Sequence, residues 1–178
     1  MKYYKTTQKS IRTRIAKTIS SHNTLKLLTG DSSVDISKAL KKGRVLICNL
    51  RQGLLSEESS KIIGKLILAI IQTEIKKREL GKNHKPAFVF VDEAQDFITD
   101  KVTNILAKER QKGLHLLLSH QNVGQLSNLK ILNGIMANTS LKLASKNDPK
   151  SQSVMAKQMN IKVKDFDTLK KYRFFIND

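Results

Sequence analysis

The strongest chemical signal in the sequence is an apolar run ending in two adjacent carboxylates, Phe88-Val89-Phe90-Val91-Asp92-Glu93. A buried strand of a parallel sheet delivers its C-terminal end to the crevice where such sheets bind ligands. At that end Asp92 is suited to hold Mg²⁺ on a nucleotide through water, because Mg²⁺ keeps much of its hydration shell. Glu93 is suited to orient or deprotonate an attacking water. This is the arrangement known as Walker B. Four apolar residues followed by Asp-Glu also describe an ordinary strand end with solvated acids, so the pattern alone leaves both readings open.

Neighbouring residues bear on the choice. Gln121 follows the next predicted strand, with Ser119 and His120 beside it, and a polar side chain there can sense a γ-phosphate or the attacking water. Arg110 lies just before the Lys112-Gly113 turn. A lone Arg on a helix is usually solvated, but beside a nucleotide site it is a candidate arginine finger. A phosphate-binding loop needs G-x-x-x-x-G-K-[ST], whose backbone N–H groups and Lys hold the phosphates. No segment matches. The nearest approach, Ser59-Ser60-Lys61-Ile62-Ile63-Gly64-Lys65-Leu66, lacks the first Gly and the final hydroxyl and falls inside a helical pattern.

Other chemistries find no constellation. His22, His84, His115 and His120 have no metal-ligand spacing, and the single Cys48 can form neither a zinc site nor an intrachain disulfide. Cys48 sits in Val45-Leu46-Ile47-Cys48, where a buried, structural thiol and a reducing compartment are expected. A metal nuclease built on Asp92 and Glu93 would want Glu-x-Lys on a strand, and Glu74-Ile75-Lys76 is helical in pattern.

Lys and Arg outnumber Asp and Glu by 33 to 15, a formal charge of +18. Such a surface concentrates polyanions, and nucleic acid is the commonest of them. Use of Lys as a general solubiliser, or an anionic membrane surface, would also produce a basic chain. The first thirty residues carry Lys2, Lys5, Lys9, Arg12, Arg14 and Lys17 with no acid, and these are the candidate DNA-contacting residues. Acids gather instead between Asp92 and Glu109, which fits a cation or proton-transfer site. The apolar run from Ile62 to Ile71 is interrupted by Gly64 and Lys65 and is too short to span a bilayer.

The elements that must position these residues follow from periodicity and caps. Residues 9–20 and 34–42 are expected to be helical, and Arg44 to Leu50, rich in branched residues, suits a strand buried on both faces. Ser56 reads as an N-cap with Glu57 and Glu58 in the first turn of a long helix reaching Leu80. Strands are expected at 86–92, 114–119, 139–144 and 173–176, and helices at 101–111, 130–137 and 149–159. Apolar strands alternating with helices indicate an α/β fold, a mostly parallel sheet with helices on both faces.

The stretches "FVFVDEAQDFIT" and "ILAKERQKGLHLLLSHQ" together resemble the C-terminal half of the motor domain in the FtsK/HerA superfamily of P-loop ATPases. Within it they are most similar to TraG/TraD-type conjugative coupling proteins and related type IV secretion ATPases. In that family a Walker-B strand precedes a helix ending in an Arg-Lys-aromatic-Gly turn, then a strand ending in a sensor Gln. Here the turn reads Arg110-Gln111-Lys112-Gly113, a local departure. "LKKGRVLICNLRQGLLSEESSKIIGKLILAII" and "ILNGIMANTSLKLASKNDP" extend the likeness over roughly residues 35–160. The resemblance implies a RecA-like sheet lacking its P-loop half and a DNA-translocating motor of hexameric, homo-oligomeric habit. It assigns Asp92 to Mg²⁺, with Glu93, Arg110 and Gln121 as catalytic residues.

Because the P-loop lies upstream in the family, the chain reads as a C-terminal piece. Residues 1–33 form a basic N-terminal segment and residues 34–178 the C-terminal part of the ATPase domain. Alone it is expected to be inactive. ATP and Mg²⁺ would be its cofactors only when an N-terminal ATPase half completes the site, and otherwise it would have none. A cytoplasmic location, at the inner face of a membrane complex and without an integral membrane segment, is implied as well. An incomplete sheet should leave an apolar face or edge bare and favour self-association. The competing expectation is a non-catalytic module of the same fold that binds DNA or partners an intact ATPase.

Overall fold

The computed structural model describes residues 2–19, 22–31, 34–51, 53–99, 108–126 and 128–177. The chain divides into two compact units, Met1–Lys85 and Pro86–Asp178.

Among the described residues the first unit holds four helices: α1 (Lys2–Ile19), α2 (His22–Thr29), α3 (Ile36–Lys42) and α4 (Glu57–Lys76). Caps explain two of them. Asp35 accepts a hydrogen bond from the Lys38 amide at 2.8 Å to start α3. Gly43, at φ 66°, ends it in the left-handed conformation that glycine enters without a Cβ penalty. Ser56 Oγ accepts from the Ser59 amide at 3.2 Å to start α4, with Glu57 and Glu58 in the first turn where the helix dipole favours acids. Ile63 and the fully buried Ile75 hold the inner side of α4, against which α1 and α3 pack. The segment resembling a phosphate loop, Ser59 to Leu66, is regular helix inside α4.

The strand expected at Arg44 to Leu50 does not form. These residues have no ladder partner among the described residues, and Val45 and Ile47 are 87% and 89% exposed. Branched residues favour extended backbone, but a strand exists only when a neighbour satisfies its amides and carbonyls. The segment is instead pinned at its ends, by the Arg44 amide donating to the Ala39 carbonyl at 3.0 Å and Ser60 Oγ donating to the Leu50 carbonyl at 2.7 Å. Cys48, expected to be buried there, is exposed for the same reason.

The second unit is mixed α/β. β1 (Ala87–Val91) pairs in parallel with β2 (Leu114–Leu118), in the register Ala87↔Leu114 to Val91↔Leu118. Then come α5 (Leu129–Asn138), β3 (Lys142–Ala144), α6 (Pro149–Met159) and β4 (Phe175–Asn177). β3 and β4 pair antiparallel, so the strands among the described residues form two separate pairs rather than one mostly parallel sheet. The helix expected at 101–111 lies largely outside the described residues, and Glu109–Lys112 is a single 3₁₀ turn closed by Gly113 at φ 78°.

Two apolar clusters support this unit. Ala94, Ile98, Val123, Leu132, Ile135 and Met136 pack beneath the ends of β1 and β2. Ala144, Ala156, Met159 and Phe166 form the other, with Phe175 edge-on to Phe166 at 5.3 Å. Full burial of Phe166 contributes about 2–3 kcal/mol. Phe88 and Phe90 of β1 are 60% and 76% exposed. Among the described residues no helix is long and apolar enough to cross a membrane.

Candidate functional site

Parallel pairing in register brings the C-terminal ends of β1 and β2 side by side, so the residues that follow each strand meet. The ladder continues past both strands: the Ser119 amide donates to the Val91 carbonyl at 3.0 Å, and the Ala94 amide to the Ser119 carbonyl at 2.8 Å. Asp92 therefore faces Ser119, whose Oγ donates to Asp92 Oδ1. The same carboxylate oxygen accepts the Glu93 amide at 3.1 Å.

Glu93 adopts φ 48°, ψ 49°, a left-handed conformation that costs a non-glycine residue about 1–2 kcal/mol. Strain of this sort persists only where the surroundings over-determine it, and it concentrates at functional sites. Here both carboxylate oxygens are engaged. Gln95 Nε2 donates to Oε2 at 2.7 Å, and Gln121 Nε2 donates to Oε1 at 2.5 Å. The following 3₁₀ turn, Ala94–Asp96, drops Ala94 and Ile98 into the core and so anchors the bend. Gln121 is steadied in turn: its carbonyl accepts from Asn147 Nδ2, and the Asn147 carbonyl accepts from Gln152 Nε2 at 2.7 Å. A continuous chain of hydrogen bonds thus links Glu93 to α6.

Asp92, Glu93 and Gln121 are brought together. Arg110 is not in contact with them. It is exposed in the 3₁₀ turn before β2, and its Nη1 donates to Ser140 Oγ at 3.3 Å. Arg110 and Ser140 line a cleft of about 550 Å³ that Ser119 and His120 also line. His120 is held below the ordinary imidazole value, chiefly by burial, with a backbone hydrogen bond at Asn122 acting in the opposite direction. Of the basic N-terminal residues, Lys9 and Arg12 are exposed on α1, while the side chains of Lys2, Lys5, Arg14 and Lys17 lie outside the described residues.

Among the described residues no three His, Cys, Asp or Glu side chains converge into a metal-ligating group. A single exposed carboxylate such as Asp92, with one oxygen occupied by Ser119 and the Glu93 amide, cannot cage a bare cation. It does fit Mg²⁺ that arrives with a phosphate and keeps its waters, the usual habit of that ion. The chain matches no protein-family model, no curated protein and no solved structure.

The sequence reading missed Gln95 and Asn147. Gln95 could have been found from its position two residues beyond Glu93, within reach of a carboxylate that turns back on itself. Asn147 precedes Asp148-Pro149, a helix-start signature whose Asp148 accepts from the Ser151 amide at 3.0 Å, but its grip on Gln121 depends on tertiary placement.

Proposed function

We propose that this chain is the Walker-B-bearing part of a DNA-translocating ATPase of the conjugative-transfer or type IV secretion kind, with a RecA-like fold completed by a P-loop half. What supports the reading is one contact: Gln121 donates to Glu93 across the paired ends of two parallel strands. A general base needs a fixed orientation, and a polar sensor must touch it to report occupancy of the site. Asp92, beside it, would hold a hydrated Mg²⁺ on ATP, and that ion would screen the phosphate oxygens. Glu93 would accept the proton of the attacking water, with its carboxylate aimed by Gln95 and Gln121. Arg110, on the neighbouring cleft and free of these contacts, would serve a neighbouring subunit's phosphates.

The test is turnover in an assembly completed by a P-loop-bearing domain. There Glu93→Gln should cut ATP hydrolysis by about 10²- to 10⁴-fold, the range expected for loss of a general base, while nucleotide binding persists. Unchanged turnover would remove Glu93 from the chemistry. The second reading, a non-catalytic DNA-binding or ATPase-partner module, is favoured by the basic character of the first unit, with 19 Lys and Arg against 6 acids. Under that reading Glu93→Gln leaves every activity of the assembly as it was.

A further inference from the structure

Beyond the end of α4 the chain returns alongside α3. Arg78 Nη1 donates to the Lys85 carbonyl at 3.1 Å, and the Lys85 side chain reaches the Gly43 turn, 3.7 Å from where a Cβ would stand. The return segment and the two helices enclose an open cleft of about 550 Å³. Five cations line it, Lys41, Lys77, Arg78, Lys82 and Lys85, against two carboxylates, Glu74 and Glu79. Both carboxylates are already engaged, Glu74 by Lys77 at 2.5 Å and Glu79 by Lys82 at 2.7 Å. The lining keeps an excess of positive charge, and Ser37 and Asn83 add neutral donors. Glu74 records that environment: hydrogen bonds from Lys77 and Ser37, with the charges of Lys77 and Lys41, hold it below the ordinary carboxylate value.

The class of ligand follows from exposure. Lys77 and Lys82 are 65% and 66% exposed, so each contact with an isolated anion is worth little, about 0–1 kcal/mol. Solvated lysines become effective when many phosphates are joined in one polymer, because each contact releases a condensed counterion. The same unit presents exposed Lys9 and Arg12 on α1 and carries most of the chain's charge excess. We infer that the cleft between α3 and the end of α4 seats consecutive phosphates of a nucleic-acid backbone, without regard to sequence. The choice of polymer rests on the DNA reading above. The location does not, since neither Asp92, Glu93, Arg110 nor Gln121 lines it.

The experiment is anisotropy of a labelled mixed-sequence DNA duplex over about 50–200 mM salt. The full chain is compared with a variant carrying Lys41→Gln, Lys82→Gln and Lys85→Gln. The control is a charge-matched variant of the second unit carrying Lys150→Gln, Lys157→Gln and Lys164→Gln. The cleft variant should lose about 3 from the slope of log affinity against log salt, roughly 1 per phosphate contact, and the control less than 1. Equal losses in the two variants would overturn the inference, as would no loss in the cleft variant or no binding by the parent chain. Lysine acetylation of the unsubstituted chain, read by mass spectrometry, should show duplex protecting Lys41, Lys82 and Lys85 but not Lys150 or Lys164. The reverse pattern refutes the site even if the variant misfolds. Inorganic phosphate at matched ionic strength should fail to displace the duplex, and displacement would make this a small-anion pocket instead. Duplex binding by a chain that supports no ATP turnover with a P-loop half would sink the motor reading and leave the cleft standing.

Discussion

Met1–Lys85 carries 19 Lys and Arg against 6 acids and is helical, whereas Pro86–Asp178 carries 14 against 9 and holds both strand pairs. The first unit has charge and a long capped helix. The second has a strained Glu93 whose carboxylate is gripped from two sides. The charge excess lies in the first unit, and the mutually bonded Asp92, Ser119, Glu93 and Gln121 lie at a sheet end in the second.

The largest structural effect should come from Phe166→Ala, which removes a fully buried ring from the Ala156–Met159 cluster. A loss of about 3–5 kcal/mol in urea unfolding is expected. A loss below about 1 kcal/mol would mean that this cluster is not a true core. Ser56→Ala should cost about 1 kcal/mol by removing the cap of α4, with the loss of helical signal as its readout in the first unit. No change in thermal midpoint would show that packing alone sets where α4 begins.

The smallest effect is a pH dependence at the second unit's cleft. Burial holds His120 below the ordinary value of 6.5 that it regains on unfolding. Below that value the unfolded chain binds more protons than the folded one, so the contribution is intact above about pH 6.5 and lost as pH falls beneath it. The urea midpoint should drop between about pH 7.5 and pH 5.5, and His120→Gln should shrink the drop. An equal drop in the variant would assign the titration elsewhere.

The sequence made some of this legible and hid the rest for identifiable reasons. α6 was readable to the residue because Asp148 caps it and Pro149 occupies its first turn, both local signals. α4 was readable at its start from Ser56, Glu57 and Glu58, but it stops at Lys76, short of the expected Leu80. β1 and β2 were readable as apolar runs bounded by Asp92 and by Gly113. Val45 to Cys48 looked equally strand-like, and failed because pairing depends on a neighbour that no local pattern specifies. β4 runs against β3 as a separate antiparallel pair, a pairing that the expectation of one mostly parallel sheet did not contain. Asp92 and Glu93 could be named from type and spacing. The left-handed turn at Glu93 could not, because glutamate has no preference for that conformation and tertiary contacts impose it.

If this chain holds only the carboxylate side of a nucleotide site, as proposed, Mg-ATP binding and turnover by the purified chain, with and without duplex DNA, will reveal it. Neither tight binding nor turnover is expected in either condition, because no segment of the sequence matches the motif of a phosphate-binding loop. Robust hydrolysis stimulated by DNA would contradict it, and would place a complete phosphate-binding site within these 178 residues.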